Sequence, residues 1–525
     1  MRIERRKNAV KNIKAGIILR VYQILVPFFM RTAMIYFMGV EYLGLSSLFT
    51  SVLSFLNLAE LGVGSAMVFA MYRPIAEDDE RTICALMALY RRYYRLIGLF
   101  IGAAGLALTP FIPRLISGDV PADVNVYLLY LLNLSATVLT YWLFAYKNCL
   151  FQAHQRTSVT SRITVLTYTM QWVIQLYILL AVKNYYWYVI ATLASQAVNN
   201  VITAAAAEKE YPGYKPAGKL DEAEVAIING KIRDLFTAKL GNVVLKASDT
   251  VVISAFMGLT TVAIFQNYNF IAQSVITMCE IVLGSVMAGL GNSFILESKE
   301  KNFADMEKFG FIFLWLGGVC VCCFIAMYQP FMELWVGKEL MLDYGLVLCF
   351  AAYFFVVILN RFVSTYKDAA GLWHEDRYRA LITALINLSL NLLWVRRWGL
   401  YGILLSTVIS MTCVGMPWML HNLFTLFFNR EQLKKFLSLL FGFVAATAAA
   451  GLLVSLICNN IDMNPVPALA VSAVTALLVP DVLFFICFCR KKQFIESLLF
   501  VESLTKGKLR LTALAGMLEA EKKRS

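Results

Sequence analysis

Apolar residues are gathered along this chain in long runs that short polar segments separate. Each run is close to, or longer than, the roughly 20 residues that a helix needs to cross the apolar core of a bilayer. The pattern therefore predicts an all-α polytopic membrane protein with about fourteen transmembrane helices. The predicted segments are 15–38, 43–72, 93–116, 125–148, 160–183, 186–207, 237–258, 262–295, 309–330, 344–365, 379–396, 399–424, 436–458 and 466–489. The two longest, 43–72 and 262–295, are expected to tilt or to extend into the cytoplasm.

The composition agrees with a membrane protein and excludes a water-soluble one. Of the 525 residues, 59% are hydrophobic and 15% are charged, and the mean hydropathy is +0.67. Soluble domains carry about 25% charged residues. The net charge of +13 would suggest nucleic-acid binding in a soluble protein. In a membrane protein, Lys and Arg collect in cytoplasmic loops, so we expect membrane lipids and no nucleic acid as partners.

The distribution of basic residues predicts that both termini are cytoplasmic. In that orientation most of the 47 Lys and Arg fall in cytoplasmic loops and tails, as the positive-inside rule expects. The basic start of the chain and the apolar run that follows it are interpreted as a first membrane helix rather than a signal peptide. The basic residues that fall in external loops are Arg114, Lys183, Lys338, Arg396 and Arg397.

The chain repeats short motifs with an offset of 219 or 220 residues. These motifs are Tyr146-Lys147 and Tyr366-Lys367, His154 and His374, Pro110-Phe111 and Pro330-Phe331, Phe37-Met38-Gly39 and Phe256-Met257-Gly258, and Glu60 and Glu280. Two similar halves of six helices each have the same orientation in the membrane, because six is even, so a parallel repeat is predicted. Similar halves with charges buried in each are typical of secondary transporters.

The repeat also predicts how the chain is divided. The predicted regions are an N-lobe with helices 1–6 (1–207), a cytoplasmic linker (208–235), a C-lobe with helices 7–12 (236–428), helices 13 and 14 (429–489), and a basic cytoplasmic tail (490–525). Residues 220–235 of the linker are expected to form an amphipathic helix on the membrane surface. Each loop is too short to fold as a soluble domain.

Four basic residues lie within predicted helices and at least four residues from either end, and a charge at the bilayer centre costs about 2.5–3.5 kcal/mol. Arg20 and Arg31 share one face of the first helix, about 16 Å apart along its axis. The depth of Arg31 favours a water-filled cavity, whereas Arg20 and Arg361 could also reach lipid headgroups by snorkelling. Lys246 and Asp249 lie three residues apart and either form an ion pair or belong to a binding site.

Three acidic residues are candidates for ion coupling: Glu60, Asp249 and Glu280. Glu60 and Glu280 occupy matching positions in the two halves. A carboxylate in a low-dielectric site holds a proton more tightly and can exchange it near neutral pH, as an ion-coupled carrier requires. A structural hydrogen bond to a neighbouring helix is the alternative. Polar residues expected to line the cavity are Asn57, Asn267 and Gln273.

The chain offers little that resembles catalytic chemistry. Most of the 11 cysteines lie inside apolar runs, where they behave as small hydrophobic residues. Cys and His do not cluster with the spacing of a metal site, so we predict no disulfide framework, no metal and no cofactor. A membrane enzyme, such as a polymerase or a glycosyltransferase, is the competing class. Membrane polymerases usually have a large external loop and glycosyltransferases need an aqueous nucleotide-sugar domain. The predicted loops are too short for either, so we expect no enzymatic activity.

The run from Phe37 to Glu80 is similar to a known family. The matching residues are Gly39, Tyr42-Leu43-Gly44, Leu48-Phe49, Ala59-Glu60-Leu61-Gly62 and Tyr72-Arg73-Pro74-Ile75-Ala76 before Asp78-Asp79. They resemble bacterial polysaccharide flippases of the multidrug/oligosaccharidyl-lipid/polysaccharide exporter superfamily. In topology the resemblance covers the whole chain, with a six-plus-six repeat and a trailing helix pair.

The resemblance implies a flippase that moves an undecaprenyl-diphosphate-linked oligosaccharide from the inner to the outer leaflet of the bacterial plasma membrane. In relatives the sugar passes through a cationic cavity between the lobes, and helices 13 and 14 help form a groove for the lipid tail. Arg31, and also Arg20, match basic positions on the first helix of relatives. Arg361 and Lys246 are further candidates for the diphosphate, because guanidinium groups pair with phosphate in bidentate fashion. Coupling to H⁺ or Na⁺ is implied by analogy, and a monomer is expected.

Two alternatives with the same fold stay open. A multidrug or toxin cation antiporter typically has twelve helices and would suit an acidic cavity, whereas the first half here carries Arg20 and Arg31 against Glu60. A flippase of the peptidoglycan lipid precursor would carry another anionic lipid.

Overall fold

The computed structural model describes residues 5–60, 62–118, 120–460 and 463–504. These residues form helices and connecting turns, with no strand among them, which confirms the predicted all-α class. Leu61 of the family-like motif and residues 505–525 of the predicted tail lie outside the described residues. The helices are α1 (Arg5–Phe37), α2 (Val40–Leu56), α3 (Val63–Ala76), α4 (Glu80–Leu108), α5 (Val126–Trp142), α6 (Asn148–Ala153), α7 (Thr157–Tyr177), α8 (Tyr185–Glu210), α9 (Glu222–Met257), α10 (Leu259–Leu296), α11 (Lys299–Val336), α12 (Tyr344–Ala369), α13 (Arg379–Trp398), α14 (Leu400–Ser410), α15 (Met416–Asn422), α16 (Arg430–Cys458), α17 (Pro465–Phe488) and α18 (Lys492–Leu504).

The helices include enough long apolar ones for a multi-pass membrane protein. In the described part of the chain, 11 are long and apolar enough to cross a membrane. The number is 12 if the pair Val126–Trp142 and Ala145–Ala153, which is bent by 48°, counts as one crossing. The other two predicted segments are helical as well, as α10 and α13. Every predicted segment therefore coincides with a helix, while the number of crossings and the side of the termini stay predictions.

The long second segment consists of two helices joined by a short turn, and its tilt or extension into the cytoplasm stays a prediction. A 3₁₀ turn, Asn57–Glu60, separates α2 from α3. Gly62 follows with φ of +92°, a left-handed conformation that glycine adopts without steric cost. A Cβ at Gly62 would also lie 2.8 Å from the Cβ of Leu235. The break places the Glu60 carboxylate at a joint between two helices.

The repeat that the sequence predicts recurs in the backbone conformation. Gly39 separates α1 from α2 with φ of +125°, and Gly258 separates α9 from α10 with φ of +89°. Gly118 and Gly337 have φ of +83° and +82°, and they too are offset by 219 residues. Because residues other than glycine rarely adopt such φ values, these glycines mark equivalent turns in the two halves.

Internal contacts divide the chain into two compact units, Met1–Gln266 and Asn267–Ser525. The first unit includes α9, which the sequence repeat assigns to the second half. α9 packs against α2 and α3, and the start of α10 crosses α2 so closely that a Cβ at Gly44 would lie 2.1 Å from the carbonyl oxygen of Leu259. Residues 220–235 are predicted to form an amphipathic surface helix, and residues 222–235 are the first part of the long helix α9, which has no proline to interrupt it.

α11 is the centre of the second unit and packs against α12, α16, α17 and α18. A Cβ at Gly318 would lie 2.6 Å from the ring of Phe484 and 2.7 Å from Thr447 Oγ1, so this glycine permits the close approach of α16 and α17 to α11. The predicted helices 13 and 14 are α16 and α17. All cysteines of the chain are free thiols.

Candidate functional site

The two arginines of α1 differ in exposure. Arg31 is half-buried, and the phenol of Tyr188 on α8 lies close enough to interact with its charge. Arg20 is exposed. The exposure of Arg20 fits a cavity and contact to lipid headgroups equally, and the roles assigned to both arginines stay predictions.

Glu60 accepts hydrogen bonds from two buried phenols. Tyr94 donates to Oε1 at 2.8 Å, and Tyr141 donates to Oε2 at 3.0 Å. Tyr90 in turn donates to the Tyr94 hydroxyl at 2.7 Å. The Tyr141 hydroxyl also lies 3.2 Å from Asn57 Oδ1, and since it carries one proton it donates either to Glu60 or to Asn57. We call these five residues the Glu60 cluster, in which the carboxylate is held by neutral donors.

Glu280 and Arg361, predicted for different roles, form one ion pair. Arg361 Nε lies 2.9 Å from Glu280 Oε1, and the two side chains are 39% and 41% exposed. Gln273 Nε2 donates to the Tyr353 hydroxyl at 2.9 Å. Gln273 precedes Glu280 on α10, and Tyr353 precedes Arg361 on α12, by about two helical turns in each case. The ion pair and the hydrogen bond are two polar contacts between α10 and α12.

The partners of the two glutamates are themselves equivalent in the repeat. Tyr141 and Arg361 are offset by 220 residues, as are Glu60 and Glu280. The same two positions therefore hold a Glu–Tyr contact in the first unit and a Glu–Arg contact in the second. Both partners donate a hydrogen bond to a carboxylate, but only guanidinium carries a positive charge that compensates it.

The remaining predicted site residues lie on α9 and α10. Lys246, which is exposed, and Asp249, which is half-buried, lie on α9. Because α9 packs in the first unit, both residues belong to the same unit as Glu60. Asn267, near the start of α10, is 0% exposed and belongs to the second unit with Gln273.

Sequence reasoning missed a buried polar network between α13 and α14. Asn387 Nδ2 donates to Thr407 Oγ1 at 2.9 Å and to Ser406 Oγ at 3.3 Å. Asn391 Nδ2 donates to Asn387 Oδ1 at 3.4 Å, and Ser406 Oγ donates to Asn391 Oδ1. None of the four is more than 3% exposed. The sequence does contain a pattern that indicates this network, since two asparagines four residues apart in an apolar helix need hydrogen-bond partners on a neighbouring helix.

The repeated Tyr-Lys motif places a buried lysine in each unit. Lys147 pairs with Glu208, and the two side chains are 8% and 69% exposed. Lys367 Nζ lies 3.0 Å from Asp376 Oδ2, and these side chains are 7% and 5% exposed. The two lysines thus occupy equivalent positions but differ in how deeply their partner carboxylate is buried.

The two equivalent histidines lie in different surroundings. The His154 ring stacks on Tyr211 with centroids 4.4 Å apart, and its Nδ1–H donates to the carbonyl oxygen of Leu150 at 2.8 Å. Burial lowers the pKa of His154. His374 is exposed and contacts Arg377.

Comparison with solved structures identifies the fold. The lipid II flippase MurJ in an inward closed conformation aligns with a TM-score of 0.68 and 12% identity, over 91% of this chain and 98% of that one. An inward-facing multidrug resistance MATE family transporter of the MOP superfamily aligns with a TM-score of 0.60 and 14% identity, over 81% of this chain and 99% of that one.

A MOP superfamily transporter from Pyrococcus furiosus, described as having a binding pocket of reverse polarity, aligns with a TM-score of 0.53 and 12% identity, over 78% of this chain and 94% of that one. No family model and no curated protein matches the chain. At these identities the similarity concerns the fold, and the chain has the fold of MOP-superfamily transporters, as its sequence resemblance predicted.

Proposed function

We propose that this protein translocates an undecaprenyl-diphosphate-linked oligosaccharide from the inner to the outer leaflet of the bacterial plasma membrane by alternating access. It does so as a monomer coupled to H⁺ or Na⁺, without catalysing a reaction. The fold supports this proposal, because the alignment with a lipid II flippase spans 98% of that chain. A transporter of this fold can move a lipid-linked headgroup past the apolar core while the lipid tail stays in the bilayer.

The observation that favours an anionic cargo is the half-buried position of Arg31. Its guanidinium is half-buried within the apolar span Lys14–Phe37. A charge at such a depth costs about 2.5–3.5 kcal/mol, so it is retained where it serves a function. Guanidinium binds a diphosphate through parallel N–H···O bonds, which makes Arg31 the first candidate to hold the headgroup.

Glu60 is the first candidate for ion coupling. Its hydrogen-bond partners Tyr94 and Tyr141 are neutral, so neither contact supplies a compensating positive charge. Release of a proton or a sodium ion from this group would change the hydrogen bonding of the joint between α2 and α3. Asp249 on α9 remains a second candidate for the same role.

A flippase of the peptidoglycan lipid precursor is the second candidate function. The observation that favours it is the alignment with the lipid II flippase. The two candidates differ in the sugar and share the anionic lipid diphosphate, so the role of Arg31 is the same in both. A drug or toxin cation antiporter is supported by the alignment with the MATE transporter and would use Glu60 to bind the cargo.

Flipping in proteoliposomes tests the proposal. A labelled undecaprenyl-diphosphate oligosaccharide and lipid II are followed into the opposite leaflet for wild type, Arg31→Ala and Glu60→Gln, with and without a pH or Na⁺ gradient. Arg95→Ala, which removes an exposed arginine of α4, is the matched control. We expect Arg31→Ala to abolish flipping and Glu60→Gln to abolish its dependence on the gradient. A wild-type protein that flips neither lipid but expels a cationic dye would replace this proposal with the antiporter.

A further inference from the structure

The ion pair between Glu280 and Arg361 has the geometry of a site whose anion can be exchanged. We propose, on the basis of the proposed function, that the substrate diphosphate displaces Glu280 from Arg361. Until the cargo binds, the Glu280 carboxylate occupies the place on Arg361 that a phosphate group of the cargo would take.

The Glu280–Arg361 ion pair is well formed, yet both side chains are accessible to solvent. Nε and Oε1 are 2.9 Å apart, while 39% of the Arg361 side chain and 41% of the Glu280 side chain are exposed. The hydrogen bond between Gln273 and Tyr353 is a second contact between α10 and α12 that does not involve the ion pair. The partial exposure of both side chains leaves Arg361 accessible to an anion. Guanidinium has five N–H donors in a planar fork, more than one carboxylate uses.

Comparison of the two repeats indicates which glutamate can make this exchange. At the position equivalent to Arg361 the first unit has Tyr141, which donates a hydrogen bond to Glu60. A phenol has no positive charge for a diphosphate to bind, so displacement of Glu60 would gain nothing. The cation is present only at the equivalent position of the second repeat, and the exchange is confined to that unit.

Calorimetric titration with undecaprenyl diphosphate tests the inference. Purified protein in detergent is titrated at one pH and one ionic strength, which gives the Kd of each variant. Glu280→Gln is expected to bind undecaprenyl diphosphate about fivefold more tightly than wild type, because the carboxylate that competes for Arg361 is gone.

Two further variants complete the test. Arg361→Gln is expected to bind undecaprenyl diphosphate more weakly than wild type. Asp481→Asn removes a carboxylate from the same unit, one that accepts from Trp315 Nε1 at 2.6 Å, and is expected to have the Kd of wild type. Equal Kd values for wild type and Glu280→Gln would overturn the inference and leave the proposed function standing. If wild type binds no undecaprenyl diphosphate but binds a cationic dye, the proposed function and the inference both fall.

Discussion

Replacement of Asp376 by asparagine tests how far the buried lysine of the second unit depends on its carboxylate. Asp376 accepts from Lys367 Nζ at 3.0 Å and from Arg379 Nε at 2.7 Å, and its side chain is 5% exposed. Asp376→Asn keeps the size of the side chain and removes its charge. Lys367, which is 7% exposed, then keeps its contact with Asp368 at 2.6 Å.

The burial of the charged groups sets the loss of unfolding free energy that we expect for Asp376→Asn. Removal of one partner of a buried ion pair costs about 3–5 kcal/mol, because the other charge stays buried without compensation. Asp368 is 44% exposed, so it and nearby water compensate part of the Lys367 charge. We therefore expect the lower end, about 3 kcal/mol. At about 2 °C per kcal/mol for a unit of this size, the Tm of the second unit should fall by about 6 °C.

The Tm is measured on purified protein in detergent, from the loss of helical circular dichroism on heating. Glu208→Gln is the matched variant, because it removes the carboxylate that pairs with Lys147, the repeat equivalent of Lys367. Glu208 is 69% exposed, so water replaces it and the Tm should not change measurably. Equal losses in the two variants, or a loss in neither, would refute the reasoning that burial of the carboxylate decides the cost.

Three other substitutions test separate parts of the structure. Gly44→Ala should lower the yield of folded protein in size-exclusion chromatography, because the new Cβ would lie 2.1 Å from the Leu259 carbonyl oxygen. Tyr141→Phe removes a phenol donor from Glu60 and should slow gradient-driven flipping about tenfold, the equivalent of one hydrogen bond to a charged group. Burial lowers the pKa of His154, so the imidazole binds a proton more tightly in the unfolded chain than in the folded protein. The Tm should therefore fall as the pH drops below about 6.5. His154→Phe should reduce this dependence of the Tm on pH.

Each of these substitutions has a control in the chain. Gly16→Ala adds a Cβ with nothing within 4 Å and should leave the yield unchanged. Tyr93→Phe removes a surface hydroxyl that donates to Asn229 and should not slow flipping. His374→Phe alters an exposed ring and should leave the pH profile of the Tm as in wild type. A control that behaves like its test variant would contradict the reasoning for that pair.

The position of helices and the repeat could be read from single residues and their spacing. Helices lie at each predicted apolar segment, because the length of an apolar run is a local property of the chain. The repeat was visible in pairs such as Tyr146 and Tyr366, and both side chains are buried in the structure. Glycines with matching left-handed φ values, such as Gly39 and Gly258, support the same offset.

The break within the second segment and the placement of α9 could not be read in this way. The predicted apolar segment 43–72 runs on past the polar residues Asn57 and Glu60, and the backbone conformation shows that a 3₁₀ turn separates α2 from α3 there. α9 continues from the predicted linker and packs in the first unit. Its contacts with α2 and α3 join chain segments that are far apart in sequence, so local patterns do not predict them.

By itself the sequence determined the all-α class, the offset of the two halves and the identity of the charges within helices, since each depends on residue type and local periodicity. The tertiary structure decided which partner each charge meets. Glu60 meets Tyr141, 81 residues away, whereas the equivalent Glu280 meets Arg361. The free energy of a buried charge depends on the groups packed against it, and those groups come together only when distant helices pack.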